Sequence, residues 1–227
     1  MTAAAPTSSV SSDITTSLYH RTRALHLEAE KTGIIADLLR GQATRPGYAL
    51  LLRNLFPAYR ELENGLARHQ DSPGLDRLKP LKLRRTQAIE SDLIALCGPD
   101  WANTVPWLPA GQAYAKRIAE VAEGDGMLLI AHAYTRYLGD LNGGQIVQRL
   151  LANTYKLRPC ELSHYDFSGF PNPSELKNDY RAALNQAAAA SSDPDAIIEE
   201  GATAFTLNIG LSVAVQNQLR QNAPVAS

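Results

Sequence analysis

The stretch YLGDLNGGQ, residues 137–145, places three glycines and one carboxylate inside a segment that otherwise has the pattern of a helix. Each glycine in a helix interior costs about 1 kcal/mol relative to alanine, so Gly139, Gly143 and Gly144 together weaken this helix by roughly 3 kcal/mol. On a helical wheel Gly139 and Gly143 share one face, and Asp140 lies at its shoulder. We expect a partner that approaches this backbone closely enough to exclude side chains.

Two kinds of partner would fit this glycine face. The GxxxG spacing allows a second helix to pack closely, but that helix would bury Asp140 against backbone, where an unpaired carboxylate is costly. A flat, wide ligand lying across the glycines would leave room for water beside the carboxylate. The pattern therefore favours a ligand over a packed helix.

The composition is that of an ordinary globular protein. The chain has 227 residues, 44% hydrophobic and 20% charged, with a formal net charge of −1. These values argue against disorder and against nucleic acid or an anionic membrane as a general partner. Cys97 and Cys160 lack CxxC spacing, which argues against a zinc site and fits a reducing compartment. Because no signal-peptide pattern and no apolar run of membrane-spanning length occur, we expect a cytoplasmic protein without a membrane span.

Helical periodicity covers most of the chain, and strand-like alternation is scarce. We predict one all-α domain over residues 13–220, flanked by flexible segments at 1–12 and 221–227. Pro57 falls inside the second predicted helix and should kink it. Gly, Pro and Asp clusters separate the predicted helices, which span residues 13–34, 46–69, 76–96, 111–123, 127–155, 174–190 and 194–220.

A histidine on the first predicted helix is a candidate metal ligand. His26 lies beside the apolar stripe of that helix, and Glu30 follows one turn later. A metal-bound imidazole commonly donates its other N–H to a carboxylate, which this spacing supplies. For an isolated HxxxE pattern, a partly buried histidine in an ion pair is the commoner outcome. Combined with an opposing glycine face and a nearby carboxylate, however, a neutral histidine ligand describes a haem pocket.

The sequence closely resembles the haem oxygenase family in two stretches, AYTRYLGDLNGGQ (133–145) and HLEAE (26–30). The resemblance implies an all-α, haem oxygenase-like bundle, with haem between the first helix and a glycine-kinked distal helix. It runs from about residue 13 to 220 in the family's order, and its other matches are LFPAYRELE (55–63), KNDYR (177–181) and EEGATAFTLNIGL (199–211).

The resemblance also implies an activity. Such an oxidoreductase degrades haem with O₂ and reducing equivalents to biliverdin, CO and ferrous iron, through a ferric hydroperoxide that hydroxylates a meso carbon. Haem is then both substrate and cofactor, and O₂ is the co-substrate. The expected electron donor is ferredoxin or a flavin reductase. We expect a monomer, because the sequence shows no exposed heptad pattern.

The family's site residues can be placed on this chain by their motifs. His26 would bind the iron, with Glu30 as its hydrogen-bonding partner. Asp140 would be the catalytic residue and would hold a distal water. The other implied residues form three groups: Gly139, Gly143 and Gly144 under the haem; Tyr59, Arg136 and Asn208 in the water network; and Tyr134, Lys177 and Arg181 at the propionates, with Phe205 lining the pocket.

One position departs from the family pattern. The family places a basic residue that pairs with a propionate two turns before the proximal histidine, but Tyr19 stands there. His20, Arg21 or Arg23 could replace it, and Arg23 points closest to the direction of Tyr19. The departure bears on the in-plane orientation of haem and hence on which meso carbon is attacked. Biliverdin IXα is the expected isomer.

Other interpretations remain open at this stage. The basic stretch RLKPLKLRR (77–85) is either a solvated helix face or, with Arg149, a docking patch for an acidic electron donor. A haem carrier or sensor would explain His26 but has no need of Asp140. Another enzyme on the same scaffold, such as the thiamin-degrading relatives, would bind no haem. A pure interaction bundle would explain neither feature.

Overall fold

A computed structural model describes residues 13–81, 83–170 and 172–222. Within these ranges the chain forms ten α-helices and no β-strand, which confirms the all-α prediction. Of the segments predicted to be flexible, 1–12 and 223–227 lie outside the described residues, whereas Gln221 is the last residue of the helix Pro194–Gln221. The helices are α1 (Ile14–Ala29), α2 (Gly33–Leu39), α3 (Arg45–Arg68), α4 (Thr86–Cys97), α5 (Trp101–Thr104), α6 (Pro109–Ala122), α7 (Leu129–Ala133), α8 (Gly139–Thr154), α9 (Pro173–Ala188) and α10 (Pro194–Gln221).

Three predicted helices are interrupted in the structure. The helix predicted over 13–34 ends at Ala29, and α2 follows as a separate element. The helix predicted over 76–96 begins only at Thr86, because the preceding segment, with Pro80 unable to donate a hydrogen bond, forms two short 3₁₀ turns. The helix predicted over 127–155 contains a π-helical turn at Tyr134–Leu138, between α7 and α8.

Helix α10 is the element around which the others assemble. It packs against α1, α2, α3, α6 and α7 and also contacts the π-helical turn. Its buried Ile197, Leu211 and Val215 belong to one hydrophobic core that includes residues from α1 to α10. Gly201 sets the distance to α1, because a Cβ there would overlap Leu18 Cδ2. The two helices therefore approach more closely than side chains at this position would allow.

The start of α2 is fixed on α10 by a glycine in a left-handed conformation. Gly33 has φ +64°, and a Cβ there would overlap the backbone of Ser212. The Ser212 hydroxyl donates to the Thr32 carbonyl (3.2 Å) and accepts from the Ile35 N–H (3.2 Å). The Ile35 N–H lies in the first turn of α2, where no helical carbonyl reaches it, so Ser212 supplies its acceptor. The turn after α1 is thereby held against α10.

Replacing Gly33 by alanine should lower the free energy of unfolding by at least about 2 kcal/mol. Left-handed backbone costs roughly 1–2 kcal/mol for a residue with a Cβ, and the overlap with Ser212 adds to that cost. Urea unfolding followed by circular dichroism measures the change. Gly124→Ala is the control, because its Cβ would meet nothing within 4 Å, so its effect should stay within about 0.5 kcal/mol. Equal effects of the two substitutions would show that the Ser212 contact is unimportant.

Candidate functional site

The glycine face begins where the helix changes its pitch. The π-helical turn Tyr134–Leu138 directly precedes Gly139, the first residue of α8. Single π turns are rare in proteins overall, and those that do occur are often found at functional sites. Around this turn Tyr137 and Leu138 are buried, whereas Gly139 is exposed. The change of pitch therefore lies at the edge of the predicted ligand-binding face.

The three glycines of this face have two different surroundings. A Cβ on Gly139 or Gly143 would meet nothing within 4 Å, so both border open space. A Cβ on Gly144 would lie 2.8 Å from Tyr165 Cδ1. A side chain at Gly144 would therefore point at Tyr165 and not into the open space beside Gly139 and Gly143. Gly144 lies about 100° farther around the helix than Gly143, and its missing side chain admits the Tyr165 ring instead.

Asp140 is held inside the protein by a tyrosine from α3. The Tyr59 hydroxyl donates to Asp140 Oδ2 over 2.7 Å, and Asp140 is only 7% exposed. Burial and the adjacent carboxylate raise the pKa of Tyr59, so this hydroxyl keeps its proton and remains a donor. The structure thus brings together two of the predicted site residues through a direct hydrogen bond.

Arg136 adds a buried cation beside this pair. Its guanidinium carbon lies 5.7 Å from the centre of the Tyr59 ring. Burial opposes the charge, but the neighbouring Tyr59, Tyr114 and Asp140 hold the pKa of Arg136 above its usual value. Its Nε and Nη1 make no hydrogen bond to the described residues, and neither do the buried Tyr114 hydroxyl and His132 Nδ1. Buried polar groups normally have partners, so this cluster is typical of a site that binds polar atoms from outside the chain.

A chain of polar and charged groups connects this cluster to the surface. His132 Nε2 lies 2.9 Å from Glu200 Oε1, and Arg117 Nε donates to the same oxygen over 3.0 Å. Arg117 is the partly exposed end of the chain, whereas His132 and Glu200 are buried. The ring of His132 also contacts that of Tyr114, with 5.9 Å between centroids. The polar cluster therefore continues from Arg136 toward solvent.

His26 lies on α1 with its imidazole accessible. The side chain is 58% exposed, and its Nδ1 is 3.5 Å from Glu30 Oε1. Its Nε2 makes no hydrogen bond to the described residues, and its ring centroid is 5.8 Å from that of Phe205 on α10. The HxxxE pair predicted from the sequence is present, and one ring nitrogen stays available to a ligand.

The predicted propionate residues gather where α1, α9 and the π-helical turn meet. Burial raises the pKa of the Tyr134 hydroxyl, and the Thr22 and Arg181 side chains oppose that rise. Lys177 lies on α9 one turn before Arg181 and is half-buried. Asn208, also half-buried, lies on α10, one turn after Phe205.

The basic residues near Tyr19 are not equally available. Arg21 makes a two-pronged ion pair with Glu199, with both nitrogen–oxygen distances 2.8 Å. His20 packs its ring against Tyr19 at 5.5 Å. Arg23 is exposed, and its side chain has no hydrogen bond or ion pair to the residues that the structure describes. Arg23 is therefore the free cation among the three candidates.

His164, which no sequence pattern indicated, lies beside Asp140. Its Nε2 is 3.6 Å from Asp140 Oδ1, and it belongs to a 3₁₀ turn in the irregular stretch after α8. Arg85 holds this turn by donating to the Asp166 carbonyl over 2.8 Å, and its guanidinium lies 4.6 Å from the Phe167 ring centre. Arg85 is buried, so the basic stretch 77–85 is not a solvated face throughout. No periodicity or spacing in this irregular stretch indicates either role.

A family model described as Heme oxygenase matches residues 12–214. The chain belongs to the haem oxygenase family. Heme oxygenase 1 of Homo sapiens is 36% identical over 215 residues, which cover 93% of this chain and 74% of the relative. Heme oxygenase 1 of Synechocystis is 32% identical over 210 residues, covering 92% and 88% of the two chains.

Solved haem oxygenases share the fold. The crystal structure of heme oxygenase-1 from Synechocystis in complex with heme superposes with a TM-score of 0.85 at 32% identity, covering 92% of this chain and 95% of the other. Heme oxygenase from Leptospira interrogans gives a TM-score of 0.82 at 30% identity, covering 88% and 98%. Among the described helices of this family member, none has both the length and the apolar character that crossing a membrane requires.

The neighbouring glycines of α8 should respond oppositely to alanine. Gly143→Ala should stabilise the haem-free protein by about 0.5–1 kcal/mol, because it gains helix propensity and meets no atom. Gly144→Ala should destabilise it by about 1–3 kcal/mol, because the buried Tyr165 ring must move. Urea unfolding of the haem-free proteins measures both changes. If both variants are stabilised, Gly144 does not owe its identity to Tyr165.

Acid should destabilise the fold through His132. Burial lowers the pKa of this imidazole more than its bond to Glu200 raises it, so the folded protein holds the neutral ring. The unfolded chain takes up a proton below about pH 6.5, and stability therefore falls as pH decreases through that value. The slope contributed by this one group is at most about 1.4 kcal/mol per pH unit.

Urea unfolding between about pH 5 and 7.5 tests this dependence. The pKa of Glu200 is also lowered, but its contribution is lost only below its ordinary value of 4.5. His132→Gln should therefore flatten the upper part of the profile. Parallel profiles for the two proteins would mean that His132 does not cause the acid sensitivity.

Proposed function

We propose that this chain is a haem oxygenase, folded as one helical domain over residues 13–220, that degrades haem with O₂ and reducing equivalents to biliverdin, CO and ferrous iron. One observation carries the proposal: an accessible histidine on α1 occurs together with a bare glycine patch beside the buried Asp140–Tyr59 pair. Membership of the family, and a similar structure described as a complex with heme, support it.

The residues of this chain fit haem, which is flat and apolar with two carboxylates on one edge. His26 offers a free ring nitrogen, and Gly139 and Gly143 leave open space where a porphyrin plane could lie. Arg136, in the turn that precedes Gly139, has buried nitrogens without a partner among the described residues. Bound haem supplies the iron at which O₂ is reduced and the porphyrin carbon that is oxidised.

His26 would hold the haem iron, and Glu30 would orient the imidazole. A carboxylate that accepts the Nδ1 proton fixes the tautomer with a free lone pair on Nε2 and makes that nitrogen more basic. The 3.5 Å separation of Nδ1 and Glu30 Oε1 needs only a small side-chain movement to become a hydrogen bond. A neutral imidazole gives the iron less electron donation than a thiolate would. Phe205 packs beside the ligand and lines the pocket.

Asp140 holds a water over the glycine patch. Tyr59 donates to only one lone pair of Oδ2, so the carboxylate keeps further lone pairs that can accept a hydrogen bond from water. A water held by this carboxylate would be the proton donor at the site, so that no strong acid touches the substrate directly. Arg136 and Asn208 extend the same hydrogen-bonded network. The bare backbone of Gly139 and Gly143 would let a flat ligand and its bound oxygen lie close to α8.

Cations and a hydroxyl at the edge of the site bind the propionates. Tyr134, Lys177 and Arg181 lie where α9 meets the π-helical turn, and Arg23 supplies the charge that Tyr19 lacks. Guanidinium groups bind carboxylates in paired hydrogen bonds, so they fix orientation as well as charge. These residues would set the in-plane orientation of haem, and we propose biliverdin IXα as the product.

The electron donor is an acidic protein such as ferredoxin or a flavin reductase. Arg84 and Arg149 are exposed and make no ion pair with the described residues, so their charge is available for docking. Arg77 and Lys79 are also exposed but already face Asp76 and Asp71. We further propose a monomer in the cytoplasm, where the free thiols of Cys97 and Cys160 would stay reduced.

Aerobic turnover of the 1:1 complex with haemin tests the function. A reductase and ferredoxin supply electrons, catalase removes free peroxide, and chromatography identifies the product. Loss of the Soret band with formation of biliverdin would establish the oxygenase, and the isomer would test the role of Arg23. A Soret band that persists although the iron is reduced would indicate a haem carrier or sensor. Absence of any Soret band would exclude haem as the ligand.

His26→Ala should reduce turnover at least about tenfold and shift the Soret band of the haemin complex, because the iron loses its axial nitrogen. Added imidazole should restore much of both, since the missing side chain leaves room for it beside Phe205. Absorption spectra and biliverdin formation, with and without imidazole, measure the effect. Full activity without added imidazole would contradict the assignment of His26.

A further inference from the structure

We propose that His164 is a positioning residue for Asp140. Its imidazole holds Oδ1 of the carboxylate while the Tyr59 hydroxyl holds Oδ2, so that Asp140 keeps one orientation in the site. The catalytic consequence rests on the proposed function, in which Asp140 holds the reacting water. The arrangement of the three side chains does not depend on it.

The backbone of His164 is anchored on both sides. Its N–H donates to Asp92 Oδ2 over 2.8 Å, and the preceding Ser163 N–H donates to the other oxygen over 2.7 Å. Its carbonyl accepts from Arg85 Nη1 over 3.3 Å. Asp92 is fully buried, and desolvation raises the pKa of its carboxyl while the two N–H donors oppose the rise. A buried carboxylate and a buried guanidinium therefore fix the position of this turn.

The ring of His164 is confined as well. It is 1% exposed, and its edge meets the Tyr59 ring with 5.1 Å between centroids. Tyr165 contacts it at 4.4 Å, and Tyr165 is itself held against Gly144. Between two aromatic rings the imidazole has little rotational freedom. Its Nε2 is thereby directed to Asp140.

The separation of 3.6 Å between Nε2 and Oδ1 is an ion-pair distance, slightly longer than a hydrogen bond. A displacement of a few tenths of an ångström would close it, which is within ordinary thermal motion. A ring without nitrogen at this position would leave Oδ1 of a buried carboxylate without a protein partner, which is costly. With His164 in place, a water that approaches Asp140 meets a carboxylate of fixed orientation rather than one free to rotate.

Three variants separate positioning from packing. His164→Phe keeps a ring of similar size but removes both nitrogens. His164→Gln restores an N–H donor at the distance of Nε2, and Asp140→Asn removes the carboxylate on which His164 acts. We expect His164→Phe to lower biliverdin formation about tenfold, with the dissociation constant for haem changed less than about twofold. His164→Gln should recover most of the lost rate.

A double-mutant cycle gives the sharper result. In the Asp140→Asn background, His164→Phe should add no more than about a twofold further loss, because the two residues act as a unit. Independent, multiplicative losses would overturn the proposal. So would failure of His164→Gln to recover activity although it folds, as judged by circular dichroism.

A readout that needs no turnover distinguishes this inference from the proposed function. In the haem-free protein, ¹⁵N NMR of the labelled imidazole should show a proton on Nε2 of His164, and the Nε2 resonance should move in Asp140→Asn. An Nε2 resonance that does not respond to Asp140→Asn would overturn the positioning role, even in an active enzyme. A resonance that responds, in a protein that forms no biliverdin, would support the positioning role while the proposed function fails.

Discussion

The close approach of α1 to α10 at Gly201 is the constraint on which the site depends. Because Gly201 has no side chain to separate the helices, α1 packs closely on α10. This contact fixes the position of α1, whose last turn carries His26. Gly33 repeats this arrangement beyond the end of α1, where its backbone meets Ser212. The same α10 also contacts the π-helical turn. One helix therefore sets the positions of both walls that would enclose haem.

The other wall, formed by α8, is less stable than it could be because its glycines leave space for a ligand. Gly139 and Gly143 weaken α8 and gain no packing, since the space beside them is open. Arg136 adds to the cost, because its buried guanidinium nitrogens lack partners within the described residues. Proteins tolerate such local losses mainly at functional sites, where the ligand or water supplies the missing contacts. Gly144 differs, because Tyr165 fills the space that its side chain would occupy.

Local patterns in the sequence predicted the features that lie within one helix. The spacing of His26 and Glu30 and the surroundings of Gly139 and Gly143 follow from helical geometry, and the structure places them as that geometry requires. What depends on contacts between distant segments was not predictable in this way. The neighbour of Gly144 comes from a separate turn, and His164 reaches the site only because buried groups of other elements hold that turn.

The π-helical turn has a consequence for how this distal wall is encoded. Such a turn is equivalent to an α-helix that has accepted one additional residue, and every residue after it is rotated by about 100° relative to an uninterrupted helix. The segment Leu129–Thr154 therefore has two helical registers, one before the shift and one after it. In α7, before the shift, His132 points into the protein, and in α8, after it, Gly139 and Gly143 border open space. Deletion of a single residue within Tyr134–Leu138 would remove the shift and rotate Gly139 and Gly143 away from the open space that they now border. Spacing along the chain, as much as residue identity, therefore defines this wall.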